Sequence, residues 1–293
     1  MRMETKKLNH ILLEYLTQTV KTVRAMSITG EGKEILGGIP GRPEDLELRV
    51  DRVGEEIIKE LLLKNGVQAE VFSESENGSM KVGKGEAELY VSIDPFDNTI
   101  LFFTGFRHAW YTAITFYDKQ RKPICAGVAD ILDAKAWIFD GEKTFLLDMV
   151  THAKRAVSPH PHKVAQGPIS LASYLMSSQY SAKFLNTFGD FVKAMDPKAL
   201  LYPFGGSHIY GYLADGRIDA YIMFDEPRSE IDPSFAIAKS VGCDIGEVDE
   251  KGNWKEYEFM PGKQYEKVDF FIAACTPEFR NDIIKYYMAQ KNP

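Results

Sequence analysis

Cysteine is scarce in this 293-residue sequence, and the three present, Cys125, Cys243 and Cys275, lie far apart and never in CxxC spacing. That pattern excludes a disulfide framework and a thiolate zinc site, and reads as buried thiols in a reducing cytoplasm. No basic block stands out either: 35 Lys and Arg stand against 42 Asp and Glu, for a net charge of −7. Nucleic acid is therefore not an expected partner. Long apolar runs are missing. The opening MRMETKKLNHILLEYL has no uninterrupted apolar core before a small-residue cleavage site, and the most apolar later run is broken by Arg107 and His108. Neither secretion nor a membrane span is expected, and no internal repeat or low-complexity tract marks a fibrous chain. What remains is a soluble globular composition, 44% hydrophobic and 26% charged, able to bury a substantial core.

Along the chain, Leu8, Ile11, Leu12, Tyr15, Leu16, Val20 and Val23 recur in steps of three and four, which predicts a long first helix. TGEGKEILGGIPGRPED, crowded with Gly and Pro, predicts a mobile loop at about residues 30–43. LRVDRVGEEIIKELLLK resumes the helical period and places Asp51 near the start of a second helix, where a carboxylate suits the helix dipole. Short β-rich runs follow (QAEVFSESE, AELYVSID, WYTAITFYD, ICAGVADI, KAWIFD), predicting a mostly antiparallel sheet. SPHPHK reads as a linker at about residue 160, after which ISLAS, DAYIMF and DFFIAAC alternate with helical stretches. The expected organisation is an α+β half, residues 1–160, and an α/β half, residues 161–293. A last helix begins with Thr276 as N-cap and Pro277 at its first position.

The chemistry concentrates in ELYVSIDPFDNTILFF. Asp94 ends an apolar strand, Pro95 fixes a turn and Asp97 follows three residues on, so the two carboxylates can converge at the mouth of a sheet. Hard cations such as Mg²⁺ prefer oxygen ligands, and two of them can hold both the attacking and the leaving oxygen of a phosphoryl transfer. The backbone N–H groups of Asn98 and Thr99 could cradle a phosphate. Taken alone, DPFD also reads as a surface turn with a capping Asp. The pair at His160 and His162 lies in a Pro-flanked linker and is assigned no role.

Partners for the motif bring a resemblance into view. The order Asp51, Glu74, DPFDNT and a late acid before a helix resembles the inositol monophosphatase superfamily of magnesium-dependent phosphatases, and LADGRIDAYI is similar to that family's AxGRxDA stretch. The likeness covers nearly the whole chain. The Gly-rich approach to RPEDLELRVD is similar to the archaeal branch, which acts on fructose 1,6-bisphosphate as well as inositol phosphates. The resemblance implies a layered αβαβα sandwich of two halves, a homodimer in the cytoplasm, two or three Mg²⁺ ions and a small phosphorylated metabolite as substrate. It implies that Glu74, Asp94 and the Phe96 carbonyl hold one ion, and that Asp94, Asp97 and a late acid hold another. Asp232 is the first choice for that acid and Glu230 the second. Glu74 and Thr99 would orient the attacking water, with Asp51 bound to the Thr99 hydroxyl. Asn98, Thr99, Gly205 and Gly206 would contact phosphate.

Two departures qualify the match. Asn98 stands where the family has Gly, and Asn is the least costly replacement if φ must be positive. Met223 falls where animal-type enzymes carry an inositol-recognising Glu, and a thioether is a poor partner for a ring hydroxyl. Arg107, His108 and Arg228 lie near the site by chain position, and Arg107 and Arg228 are the candidates for a second phosphate. The alternative is a divergent, catalytically weak relative that binds a phosphorylated ligand or a protein. A haloacid-dehalogenase-like mechanism is disfavoured because it uses acids two residues apart, not three.

Overall fold

The stripe of apolar residues at the N-terminus becomes helix α1 (Arg2–Thr29), with all seven of the residues from Leu8 to Val23 named above no more than 5% exposed. Each such buried side chain contributes about 1.5–3 kcal/mol, so this face anchors the first half. The computed structural model describes residues 2–39, 42–75, 79–159, 168–194 and 199–291. The expected linker near residue 160, with His160 and His162, lies outside the described residues.

The Gly- and Pro-rich segment read as a mobile loop carries regular backbone pairing among its described residues. A 3-10 turn (Glu31–Lys33) leads into β1 (Ile35–Ile39), which pairs antiparallel with β2 (Arg42–Leu48). Gly-rich composition signals backbone freedom, but a ladder is built from backbone groups that glycine also supplies. Gly37 and Gly38 sit at irregular steps in the register, and Ile35 and Leu36 remain exposed.

Helix α2 (Arg49–Lys64) follows, then β3 (Ala69–Phe72), β4 (Ser79–Val82), β5 (Leu89–Asp97) and the short α3 (Thr99–Thr104). A meander completes the half: β6 (Tyr111–Tyr117), β7 (Pro123–Asp130), β8 (Lys135–Phe139), β9 (Thr144–Asp148) and β10 (Lys154–Ala156). These strands form an eight-stranded sheet of order β10-β9-β8-β7-β6-β5-β3-β4, antiparallel except for the β3–β5 pair.

The second half comprises β11 (Ile169–Ala172), α4 (Ser178–Ala194), β12 (Ala199–Tyr202), α5 (His208–Ala214), β13 (Ala220–Pro227), α6 (Arg228–Ile231) and α7 (Phe235–Lys239). It closes with β14 (Asp244–Val248), β15 (Trp254–Glu256), β16 (Lys267–Ala274) and α8 (Pro277–Lys291). Its six-stranded sheet runs β12-β11-β13-β16-β14-β15. The Thr276 hydroxyl accepts the Phe279 N–H at 3.2 Å, the expected cap of α8.

The layers are those expected. Helices α1 and α2 pack on the eight-stranded sheet through β7 and β5, α5 and α7 lie between the sheets, and α4 and α8 pack on β13 and β16. The inter-sheet core holds Phe72, Tyr117, Tyr210 and Phe271, and Phe184, Phe188 and Phe270 fill the space under α4 and α8. This αβαβα sandwich puts the ends of β5 and β13, one from each sheet, within reach of one another.

Candidate active site

Regular strand geometry would point Asp94 and Asp97 to opposite faces, because residues three apart differ in parity. The register prevents this. Asp94 pairs with Ala113 and Asp97 with Tyr111, so β5 spends three steps where β6 spends two. That bulge carries one extra residue, re-aims the strand and brings both acids to one side. Asp97 is followed by Asn98 at φ 67° and ψ 45°, the left-handed region, and then by α3. The asparagine standing in place of glycine thus adopts the backbone that glycine would be used for.

Neighbouring elements bring the other acids in. β3 runs parallel to β5 with Phe72 opposite Ser92; two further steps along each chain set Glu74 beside Asp94 at the carboxyl ends of adjacent strands. Helix α2 approaches so closely that a Cβ on Gly54 would lie 2.6 Å from the Pro95 Cβ. The same approach places Asp51 where its Oδ1 accepts from the Thr99 hydroxyl at 3.2 Å, while Oδ2 accepts the Leu48 N–H at 2.7 Å. The Thr99 hydroxyl is also 3.0 Å from the Phe96 carbonyl. Burial pushes the Asp51 carboxyl up to about 8.

From the other sheet, Glu230 arrives in α6. Asp94, Asp97 and Glu230 each present an oxygen within 4.8 Å of the others. Burial, followed by the charges of Asp97, Glu74 and Glu230, holds Asp94 well above the usual carboxylate range. Its Oδ2 accepts from the Ser207 hydroxyl at 2.6 Å, but Oδ1 is buried without a hydrogen-bond partner. An orphaned anionic oxygen among like charges costs free energy that a bound cation would recover. An all-oxygen donor set of this kind fits a hard divalent cation.

The acids open into a cavity of about 740 Å³, its mouth included, lined also by Asn98, Thr99, Gly205, Gly206, Met223 and Glu226. Glu74 lines the same cavity outside the tight trio. Gly206 has φ 104°, and a Cβ there would fall 2.2 Å from Asp97 Oδ1, so its bareness keeps backbone against the acid. Tyr174, Tyr180 and Tyr221 form a wall, with the Tyr221 hydroxyl donating to Glu226 at 2.8 Å.

Three sequence-based assignments are corrected. Asp232 does not reach the cavity: it is 1% exposed, and its Oδ1 accepts from the Tyr257 hydroxyl at 2.7 Å. Two residues along a helical turn rotate a side chain by roughly 200°, so Glu230 and Asp232 face opposite ways. Arg228 is buried with its guanidinium 4.9 Å from the Tyr257 ring centroid, donating to the Glu258 carbonyl at 3.2 Å. Arg107 is exposed and stacks over Trp110; it does not line the cavity. His108 lies against Phe204. Chain proximity placed these cations near the site, and their aromatic and carbonyl partners hold them away.

Ser207 and His208 were missed. The Ser207 hydroxyl bridges Asp94 and Asp97, at 2.6 and 3.3 Å, and His208 Nδ1 lies 3.1 Å from Asp97 Oδ2. The signal available was their place directly after Gly205 and Gly206, at the start of a helix. Glu226 was missed as well, and nothing in the sequence sets it apart from other acids at strand ends.

Comparison with known proteins agrees with this geometry. The model of the inositol monophosphatase family matches residues 5–279. Among solved structures, the extragenic suppressor protein suhB from Bartonella henselae aligns with a TM-score of 0.72 at 14% identity, covering 96% of this chain and 98% of that one. A Pyrococcus horikoshii protein, described as having similarities for inositol-1 monophosphatase, gives the same TM-score of 0.72 at 19% identity, with 96% and 98% covered. The inositol monophosphatase from Anabaena (Nostoc) aligns at 0.67 and 12% identity over 99% of this chain and 97% of that one. No curated protein matches. A family match spanning nearly every element, together with an oxygen-lined acid cluster at the expected junction, leads to one assignment: the chain belongs to the inositol monophosphatase family, a family of metal-dependent phosphatases.

Proposed function

We propose that this protein is a Mg²⁺-dependent phosphomonoester hydrolase acting on a small phosphorylated sugar or polyol, with inositol 1-phosphate and fructose 1,6-bisphosphate as the leading substrates. The observation that carries this reading is the convergence of Asp94, Asp97 and Glu230 within 4.8 Å, with a buried Asp94 oxygen left unpartnered. Asp94, Asp97, Glu230, Glu74 and the Phe96 carbonyl are the groups that would hold two or three cations. Such ions supply an acidified water and neutralise charge on the phosphoryl oxygens.

The chain's own residues do the rest. Thr99 Oγ1 has one proton, which goes to Asp51 or to the Phe96 carbonyl, so its lone pairs can accept from a water in the cavity. Asn98, Thr99, Gly205 and Gly206 line the cavity, and their backbone N–H groups would take the phosphate oxygens in this reading. A homodimer in the cytoplasm accompanies this reading, and three buried free cysteines suit a reducing compartment. The alternative of a catalytically weak relative rested on Asn98 and on a displaced late acid. Asn98 takes the left-handed backbone and Glu230 joins the cluster, which supports the hydrolase reading over that alternative.

The deciding experiment is phosphate release over inositol 1-phosphate, fructose 1,6-bisphosphate, nucleotide bisphosphates and NADP, with Mg²⁺ and with a chelator. Turnover that survives chelation, or no turnover of any ester, overturns the proposal.

A further inference from the structure

His208 is a fully buried histidine, 0% exposed, placed by the first turn of α5 behind Asp97. Its ring stacks on Tyr111, with centroids 4.3 Å apart and planes 8° from parallel, and meets Tyr212 edge-on at 5.2 Å. The Tyr111 and Tyr212 hydroxyls are joined at 2.6 Å, which fixes both walls. Nδ1 lies 3.1 Å from Asp97 Oδ2, and Nε2 lies 3.4 Å from the Tyr202 hydroxyl.

Only one neutral tautomer satisfies both contacts. An ionised carboxylate only accepts, so the proton belongs on Nδ1 pointing at Asp97. Nε2 is then an acceptor, matched by the Tyr202 hydroxyl, whose acidity burial suppresses. The chain Tyr202, His208, Asp97 therefore sends hydrogen-bond donors toward the acid cluster without adding charge to it. Asn98 Nδ2 donates to the opposite oxygen, Oδ1, at 2.8 Å, so Asp97 is gripped at both oxygens.

We infer that His208 is a positioning residue: its Nδ1–H, backed by Tyr202 and clamped by Tyr111, fixes the Asp97 carboxylate for cation binding. Ser207 does the same for Asp94, which divides the orienting work between two adjacent residues. Outer-shell donors of this kind commonly change metal affinity about 10–100-fold when removed. The inference rests on Asp97 as a cation ligand, but its test does not require turnover.

The test measures Mn²⁺ and Mg²⁺ binding by calorimetry, alongside thermal unfolding of the metal-free protein. His208→Phe keeps the ring on Tyr111 and deletes the donor; cation affinity should fall about 10–100-fold. His208→Asn restores an N–H near the Nδ1 position and should recover most of that loss. Tyr202→Phe, at a side chain away from the cluster, should weaken binding about two- to fivefold. Nitrogen NMR of the metal-free wild type should show the Nδ1-protonated ring. Wild-type affinity in His208→Phe, an Asn variant as weak as Phe, or an Nε2-protonated ring overturns the inference. If cations bind as described but no ester is hydrolysed, the proposed function fails and this inference stands.

Discussion

Two acids two residues apart, the half-buried Glu230 and the buried Asp232, lie on either side of one helical turn and have opposite surroundings. Glu230 joins Asp94 and Asp97 at a cavity where the Asp94 Oδ1 has no partner. Asp232 sits in a closed niche, its carboxylate bound by the Tyr257 hydroxyl and its carbonyl by the Tyr117 hydroxyl. Burial raises Asp232 to about 8, and it raises Asp94 as well. A shifted carboxyl therefore does not distinguish a ligand from a structural acid. What distinguishes them is where they lie: Glu230 reaches the acid cluster at the cavity, and Asp232 is enclosed among tyrosines.

Substitution on each side should break this comparison cleanly. Asp94→Asn removes a charge from the crowded corner and should abolish phosphate release, by roughly a thousandfold or more, since cations supply several kcal/mol of transition-state stabilisation. The same change relieves repulsion, so the metal-free variant should unfold at a higher temperature than wild type in chelator. Asp232→Ala should behave in the reverse manner. It strands the buried Tyr257 hydroxyl and should cost about 1–3 kcal/mol in denaturant unfolding, with cation affinity by calorimetry near that of wild type.

A pH series sharpens the contrast. Asp51 and Asp232 both sit near 8 in the folded protein and near 4 when unfolded, so between those values the native state binds more protons. Stability of the metal-free protein should be greatest at the acid end of that window and fall as pH rises toward 8. Asp232→Asn should flatten this fall by roughly 2–4 °C of Tm across the window, measured calorimetrically in chelator. A Tm that climbs from pH 5 to 8 would falsify the assignment of protons to these buried acids. The smallest effect belongs to Asn98→Gly. Glycine accepts the φ of 67° freely but loses the donor to Asp97, so Mg²⁺ affinity should drop about three- to tenfold with stability nearly unchanged.

The parts of the site that could be read from sequence are those whose cause is local. The first helix follows from a three-and-four spacing, and Asp94, Asp97 and Asn98 announce themselves within five residues of chain. The register of β3 on β5 was not visible, although Glu74 was found through the resemblance. Choosing between Glu230 and Asp232 needs the rotation about the α6 axis, which residue type does not give. Arg107 and Arg228 failed for a similar reason, since sequence gives proximity along the chain and not the ring over which a guanidinium settles. For Ser207 and His208 the local pattern offers only the preceding Gly pair, because the acids they bind lie over a hundred positions earlier. The pairing of β1 with β2 is obscured by glycine, whose composition speaks for entropy and says nothing about pairing.

The extra residue in β5 has a consequence for how this gene product can diverge. Point changes leave the bulge intact, whereas losing the single extra residue between Asp94 and Asp97 would set the acids two apart on an unbulged strand, still on one face but without the bend that re-aims them. Lineages that keep the chemistry are thus expected to vary in length everywhere except across those four positions.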